Sequence, residues 1–355
     1  MPATVRATLP VVAESVYPTV APSPRVRVSS FAPFVREHGV DLELRSHVSD
    51  EEYRVLRATG GPLRKAQIVA RCAARVARRS RSPDALLMVH RLLSLVPVPG
   101  HDPPRHVDVY DFDDALFEGS ISAANRRFVG LKREAERCRA HLRRARLVLA
   151  GNDYLATYAM QHARRVEVMP SCVDPSAYET RTHAEAEVLT VGWIGSTSTT
   201  EYLREILPIL RVVNERGPRM RLLAIGAGPL PEEPWIEQRA WSLSTEARML
   251  AQFDIGIMPL PDDPWTRGKC GYKLLQYFAA GVPAVANPVG VNAYLLAGGG
   301  GIAVDTAKEW RSALEELGRD VAARQQAGER GRRMAQSEFS YQRWSPELAS
   351  LLHAL

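Results

Sequence analysis

The apolar positions of this chain fall into short dense runs that alternate with stretches where they recur every three or four residues. The first pattern predicts buried strands and the second predicts amphipathic helices. VRATLPVVA reads as a strand, followed by a Pro/Ser loop, SVYPTVAPSP. VRVSSFAPFVREHGV reads as a helix closed by Gly39, and DLELRSHV as a second strand. Residues 62–80 read as a helix. ALLMVH is a buried strand ending at His90-Arg91, and VDVYDFDDALF is a strand whose end carries Asp111, Asp113 and Asp114. A basic helix is expected over 122–145, then LVLAGND as a strand entering a turn, then RVEVMPSCVDPSAY as a strand leaving the domain.

Residues 176–187 (SAYETRTHAEAE) are polar and aperiodic, which places a linker there. The alternation then restarts. VLTVGWIG, MRLLAIGAG, DIGIMPL and PAVANPVG read as strands. TTEYLREILPILRVVNERG, WSLSTEARMLAQF with Ser244 as N-cap, and KLLQYFAAG ended by Gly281 read as helices between them. A helix at 306–318 and two more finish the chain. Such repeats predict α/β architecture with parallel sheets covered by helices on both faces. A length of 355 residues suits two domains.

Composition narrows the setting. No apolar run approaches the roughly 20 residues that span a bilayer, and the first residues lack the pattern of a signal peptide. The four cysteines are isolated, which argues against zinc knuckles and a disulfide framework. A reduced, cytoplasmic location is expected. Net charge is +6, with basic clusters at 64–81 and 126–146. They are read as solvated helix faces, or as peripheral contacts with an anionic membrane. Aromatics are not interleaved with them, so no nucleic-acid partner is expected.

Ligands of open parallel sheets bind beyond the carboxyl ends of strands. Four such ends in the second half carry glycine or proline: Gly192–Ser196, Gly226–Gly228, Met258–Leu260 and Asn287–Gly290. Glycine lets backbone N–H groups approach a phosphate. The run RGKCGYKLLQYFAAGVP at 267–283 adds a glycine-marked loop feeding a helix. Lys269 lies just before that helix and Lys273 in its first turn, where a cation is locally unfavourable unless an anion binds. A nucleotide diphosphate fits.

The run FDIGIMPLPDDPWTRGKCGYKLLQYFAAGVPAVANPVG resembles the donor-site block of GT-B fold, family-4-type (group 1-like) glycosyltransferases. VGWIGS and LLAIGAGP resemble the first and third donor-domain segments, and DVYDFDDALF the acceptor domain. The resemblance implies two Rossmann-like domains facing a central cleft: an acceptor domain over 1–180, a donor domain over 181–338, and a helix over 339–355 crossing back to brace the first. In that helix Arg343 and Trp344 are expected to pack. It implies metal-independent, retaining transfer of a sugar from a nucleotide-diphosphate donor, with no cofactor besides that co-substrate. The donor would be held by Gly195, Ser196, Gly226, Pro259, Arg267, Gly268, Cys270, Gly271, Tyr272 and Gln276, the last standing where the family grips the ribose with glutamate. The acceptor would be a small natural product or a lipid-linked molecule.

The chain departs from the family at four positions. The paired glutamates are replaced by Gly268 and Gln276, and the phosphate-neutralising Arg/Lys pair by Trp193 and Thr199. Lys269, Lys273 and Arg267 are the expected substitutes. In the first half, His90 could bond the sugar or take a proton, and Asp113 could accept the acceptor's proton. Arg91 and Asp114 are expected to contact the acceptor. His90, Asp113, Lys269 and Lys273 are thus the candidate catalytic residues. Asn152-Asp153 is read as a helix cap. Rival readings are coupling of a nucleotide cyclitol to an amine, or a non-catalytic nucleotide-sugar-binding subunit.

Overall fold

The computed structural model describes residues 8–58, 60–118 and 132–355. The start of the expected basic helix, with Arg126 and Arg127, lies outside the described residues. The chain divides into two compact units. One holds residues up to Ser171 together with Tyr341–Leu355, and the other holds Cys172–Ser340.

The first unit is built on strands β1 Leu9–Ser15, β2 Val40–Ser46, β3 Leu86–His90, β4 Val107–Phe112, β5 Ala145–Ala150 and β6 Val166–Val168. All pair in parallel, in the order β2-β1-β3-β4-β5-β6. The dense apolar runs are the central strands, and β4 is buried at every position. The strand order reverses between β1 and β3. Ligands of such sheets bind at that point, beyond the carboxyl ends. The helix Asp50–Arg57, which opens on a reciprocal Ser49/Glu52 capping box, was not foreseen. Asn152 is a helix cap as expected: its side chain accepts the Leu155 N–H at 2.9 Å at the start of Asp153–Ala159.

The C-terminal helix Tyr341–His353 packs within this unit. The Tyr341 hydroxyl donates to the Val26 carbonyl at 3.1 Å, and its ring meets Phe31 edge-on and Phe34 face-on. Tyr341, Leu348, Ala349 and Leu352 form the buried stripe. Arg343 does not pack. It is exposed, lies over the half-buried Trp344 ring and reaches toward Glu347, because its position faces away from that stripe.

A buried clamp fixes the loop after β3. Asp102 is ion-paired with Arg137, accepts from His141 Nε2 at 2.8 Å and from the Ser94 N–H at 3.1 Å. Arg137 and His141 lie on the helix Glu134–Arg144. Burial opposes ionisation of Asp102, but His141 and Arg137 outweigh it and hold the carboxyl down at about 2.

The second unit has β7 Leu189–Ile194, β8 Met220–Ile225, β9 Ile236–Arg239, β10 Ile255–Met258, β11 Ala284–Ala286 and β12 Gly301–Ala303. All are parallel, in the order β12-β11-β10-β7-β8-β9. This is the Rossmann arrangement, with its reversal between β7 and β10. The half-polar strand β9 was not foreseen. The helix expected over 241–253 is only Glu246–Leu250, and its N-cap is Thr245, not Ser244. Ser242 and Thr245 instead make a side-chain bonded turn ahead of it.

One phenol ties β7 to β10. Tyr277, on the helix Tyr272–Ala279, accepts the Ile194 N–H at 3.2 Å and donates to the Ile257 carbonyl at 3.1 Å. Its ring lies against the backbone of β10, where a Cβ on Gly256 would come within 2.5 Å of it.

Two outcomes follow from these buried contacts. Asp102→Ala leaves Arg137 buried without its counter-charge and should cost about 3–5 kcal/mol in urea unfolding. The folded-state carboxyl is depressed, so its contribution is complete above the ordinary carboxylate range and is lost as pH falls toward about 2. The gap between wild type and variant should therefore narrow in acid. Tyr277→Phe strands a buried N–H and should cost about 1–3 kcal/mol by the same measurement.

Candidate active site

In the second unit, the carboxyl end of β7 runs into Gly195-Ser196. The Ser196 N–H donates to Thr199 Oγ1 at 3.2 Å, and Thr199 and Thr200 hydroxyls donate back to the Ser196 carbonyl. This turn opens the helix Thr200–Arg216. Gly195 is required by close packing: a Cβ there would stand 2.3 Å from the Trp193 ring. Gly226, after β8, has φ +71, and a Cβ on it would stand 2.5 Å from the Gly195 carbonyl. The two glycine turns thus rest on each other.

The strand β10 continues through buried Pro259 and Leu260, whose N–H donates to Asn287 at 2.9 Å. A short helix, Pro264–Arg267, with an Asp263/Thr266 capping box follows. Gly268 ends it, Cys270 is buried, and Gly271, at φ +65, caps the next helix, Tyr272–Ala279. The Leu274 and Leu275 N–H groups donate to the Gly271 carbonyl at 2.9 and 3.2 Å, and the positive end of the helix dipole at this start favours an anion. Lys273 sits in its first turn, its ammonium 5.7 Å from the centroid of the Trp193 ring. The Lys269 ammonium is 5.2 Å from the Trp265 ring. Indole faces attract and orient cations at such distances. Trp193 is buried, so its ring is a fixed face for the first-turn lysine. Arg267 forms an exposed pair with Asp262 at 2.6 Å.

A polar group is buried beside this loop. Tyr178 donates to Glu246 at 3.4 Å, and Trp241 Nε1 donates to the other Glu246 oxygen at 2.5 Å. Burial first, then the neighbouring Tyr272 and Glu246, push the Tyr178 hydroxyl well above its ordinary range, so it remains a donor. Gln276 is 3% exposed and lies near Tyr178, yet its Nε2 has no hydrogen-bond partner of good geometry. A buried amide in that condition is what a ligand hydroxyl or carbonyl would satisfy.

In the first unit, the strand reversal gathers a second cluster. His90 ends β3 and is fully buried. Its Nδ1 lies 2.7 Å from Asp111 Oδ2 and its Nε2 lies 2.7 Å from Ser23 Oγ. Asp111 is also paired with Arg27. Burial opposes ionisation of Asp111, but Arg27 and His90 prevail and lower it. The Ser23 hydroxyl lies 2.8 Å from each oxygen of Asp113. Asp113 pairs with Arg91 at 2.5 Å, and Arg91 with Asp114 at 2.6 Å. Burial disfavours the Asp113 anion, yet Arg91 and the other cations hold its carboxyl far below the ordinary range. Arg91 has φ +58, a left-handed conformation, and its N–H donates to the Asp111 carbonyl at 2.8 Å. Such backbone costs on the order of 1–3 kcal/mol and persists where surroundings enforce it. His90 therefore has both ring nitrogens engaged.

Sequence reasoning missed Ser23, Glu246 and the two indole platforms. Ser23 sits between prolines in what reads as a loop, and the structure makes it part of a first helical turn, Pro22–Pro24. Among the described residues, no group of three or more His, Cys, Asp or Glu is placed to hold a metal ion.

Residues 185–320 match the family model described as glycosyl transferases group 1. No curated protein matches the chain. Among solved structures, a sucrose-phosphate synthase from Thermosynechococcus elongatus is 14% identical, with 98% of each chain covered and a TM-score of 0.72. WaaG, a glycosyltransferase involved in lipopolysaccharide biosynthesis, is 14% identical over 97% of this chain and 99% of its own, with a TM-score of 0.63. Anabaena HepE, solved with UDP and glucose, is 14% identical over 98% of this chain and 100% of its own, with a TM-score of 0.63. Residues 185–320 are thus similar to glycosyl transferases of group 1, and the chain has the two-unit α/β fold of the GT-B glycosyltransferases.

Proposed function

We propose that the chain transfers a sugar from a nucleotide-diphosphate donor to a small acceptor bearing a hydroxyl or amine. The observation that carries this reading is the helix N-terminus at Gly271–Lys273, set over the strand reversal with two ammonium groups oriented on indole faces. The Lys269 N–H donates to the Thr266 carbonyl, and the Gly195 and Ser196 N–H groups to the Ile225 carbonyl and to Thr199 Oγ1, so the diphosphate would rest on the helix N-terminus at Gly271–Lys273. Lys273 and Lys269 would meet the charge that develops as the diphosphate departs. Gln276 would bond the ribose. UDP in the HepE structure supports a nucleotide in this class of fold.

The acceptor would lie at Arg91, Asp113 and Asp114 in the first unit. A soluble acceptor is favoured over a membrane one because the basic segment 64–81 is largely tied internally. Arg71 and Arg75 pair with Glu52, Arg79 with Glu14 and Arg81 with Asp108. Paired charges give little attraction to anionic headgroups. Retention at the anomeric carbon, which the family resemblance implies, would be read from the anomeric coupling in the product's proton spectrum.

The test is a thermal-shift panel of UDP-, GDP-, ADP- and TDP-sugars, since ligands that bind the native state raise its apparent stability. At least one should raise the midpoint. Lys273→Ala should abolish most of that shift, while Asp153→Ala, on a capped helix of the first unit, should leave it intact. Equal small effects of both substitutions would remove the site assignment.

A further inference from the structure

We propose that the first unit carries a platform for a flat apolar ring, formed by Tyr17, Tyr53, Leu56 and Leu95, and that the acceptor bears such a ring. The second clause rests on the function proposed above, which places the acceptor at Arg91 in the same unit.

The platform stands beyond the carboxyl ends of three neighbouring strands, where ligands of parallel sheets bind. β2, β1 and β3 lie side by side, and the residues that follow them converge. Val16 and Tyr17 follow β1, Val48 follows β2, and Leu95 follows β3. Main-chain bonds tie these exits together. The Val16 N–H donates to the Leu92 carbonyl and the His47 N–H to the Ser15 carbonyl, each at 3.0 Å. Tyr53 and Leu56 lie three residues apart on the helix Asp50–Arg57, so they share one face. Val16, Val48 and Cys72 form a buried floor. Tyr17, Tyr53, Leu56 and Leu95 pack against that floor but are themselves only half-buried.

The chemistry of the surface selects its occupant. The Tyr17 and Tyr53 rings meet edge-to-face, with centroids 5.3 Å apart. Burial first, then Tyr53 and Glu134, push the Tyr17 hydroxyl up to about 12, so it stays protonated and can donate and accept. An apolar and aromatic lining with a few polar groups is the usual wall of a small-molecule site. A sugar laid on Leu56 and Leu95 would lose water from hydroxyls that those side chains cannot bond. A flat ring exposes nothing polar to them and gains contact with the aromatic pair. Its hydroxyl or amine would point toward Arg91, whose neighbour Leu92 is bonded to Val16.

The test uses the full chain with 13C-labelled tyrosine rings and naphthol as the probe, without any nucleotide. The Tyr17 and Tyr53 ring resonances should shift saturably, while that of Tyr294, exposed in the second unit, stays in place. By calorimetry, Tyr17→Ala should weaken naphthol binding about tenfold. Tyr17→Phe, which keeps the ring, should restore most of it, and so separates a lost platform from a lost fold. Methyl glucoside and phosphatidylglycerol vesicles, as rival probes, should shift neither ring. No shift with naphthol, an equal shift at Tyr294, or a shift with a rival probe alone overturns the platform. This readout needs no nucleotide, so a failed nucleotide-sugar panel would sink the proposed function and leave the platform standing. With a donor from that panel, naphthol should be glycosylated, and Tyr17→Ala should raise its KM about tenfold. Naphthol that binds the platform and does not react overturns the clause that makes the ring part of the acceptor.

Discussion

The arrangement of the second unit depends on a single phenolic hydroxyl. Tyr277 accepts from the end of β7 and donates to β10, the two strands between which the sheet order reverses. A buried backbone group without a partner is expensive, and here one side chain bonds two of them. Because Tyr277 is rooted in the helix Tyr272–Ala279, the same bonds fix where that helix starts. Gly256 is the necessary concession, since any side chain there would occupy the space of the ring. The Gly271 cap, the first-turn lysine and the amides facing the reversal all inherit their positions from this stitch.

The first unit solves the same geometric problem with different chemistry. Its reversal lies between β1 and β3, and the neighbouring register aligns Ser15 with His90 and His90 with Asp111. Carboxylates and guanidinium groups, not bare amides, crowd that end of the sheet. The left-handed backbone at Arg91 is tolerable because its N–H and its guanidinium are both claimed, by the Asp111 carbonyl and by two carboxylates. The Asp102 clamp then holds the loop that leaves Arg91. A fully satisfied polar cluster of this kind, with each member's charge opposed by another, is held in a single geometry.

The readable parts of this fold are those where burial is complete. β10 is an apolar run and β4 carries two aspartates, Asp108 and Asp111, yet both are buried at every position, and both were read as strands from the sequence. The loop and helix at 267–283 were legible because glycine and lysine broke local helix rules together. β9, with IEQR, was not, because it is an edge strand whose pattern carries little hydrophobic signal. Ser23 was hidden for another reason: its partners are 67 and 90 residues away, and no local pattern encodes such a meeting. Arg343 was misjudged because a resemblance gives a helix but not the rotation of its faces.

Trp193 shows how a departure from a family pattern can be absorbed. A carboxylate partner, such as Asp262 gives Arg267, holds a cation by cancelling its charge. An aromatic face holds an ammonium through a quadrupole and leaves the net charge intact. The buried indole that packs against Gly195 thus lies beside the ammonium of Lys273, in the first turn of the helix Tyr272–Ala279. The glycine at 195 follows from the tryptophan at 193, because the ring fills the space of a Cβ. The lysine at 273 follows from the helix start that Tyr277 imposes. Trp193 and Gly195 on one turn, and Lys273 from a helix some eighty residues later, thus pack as one element.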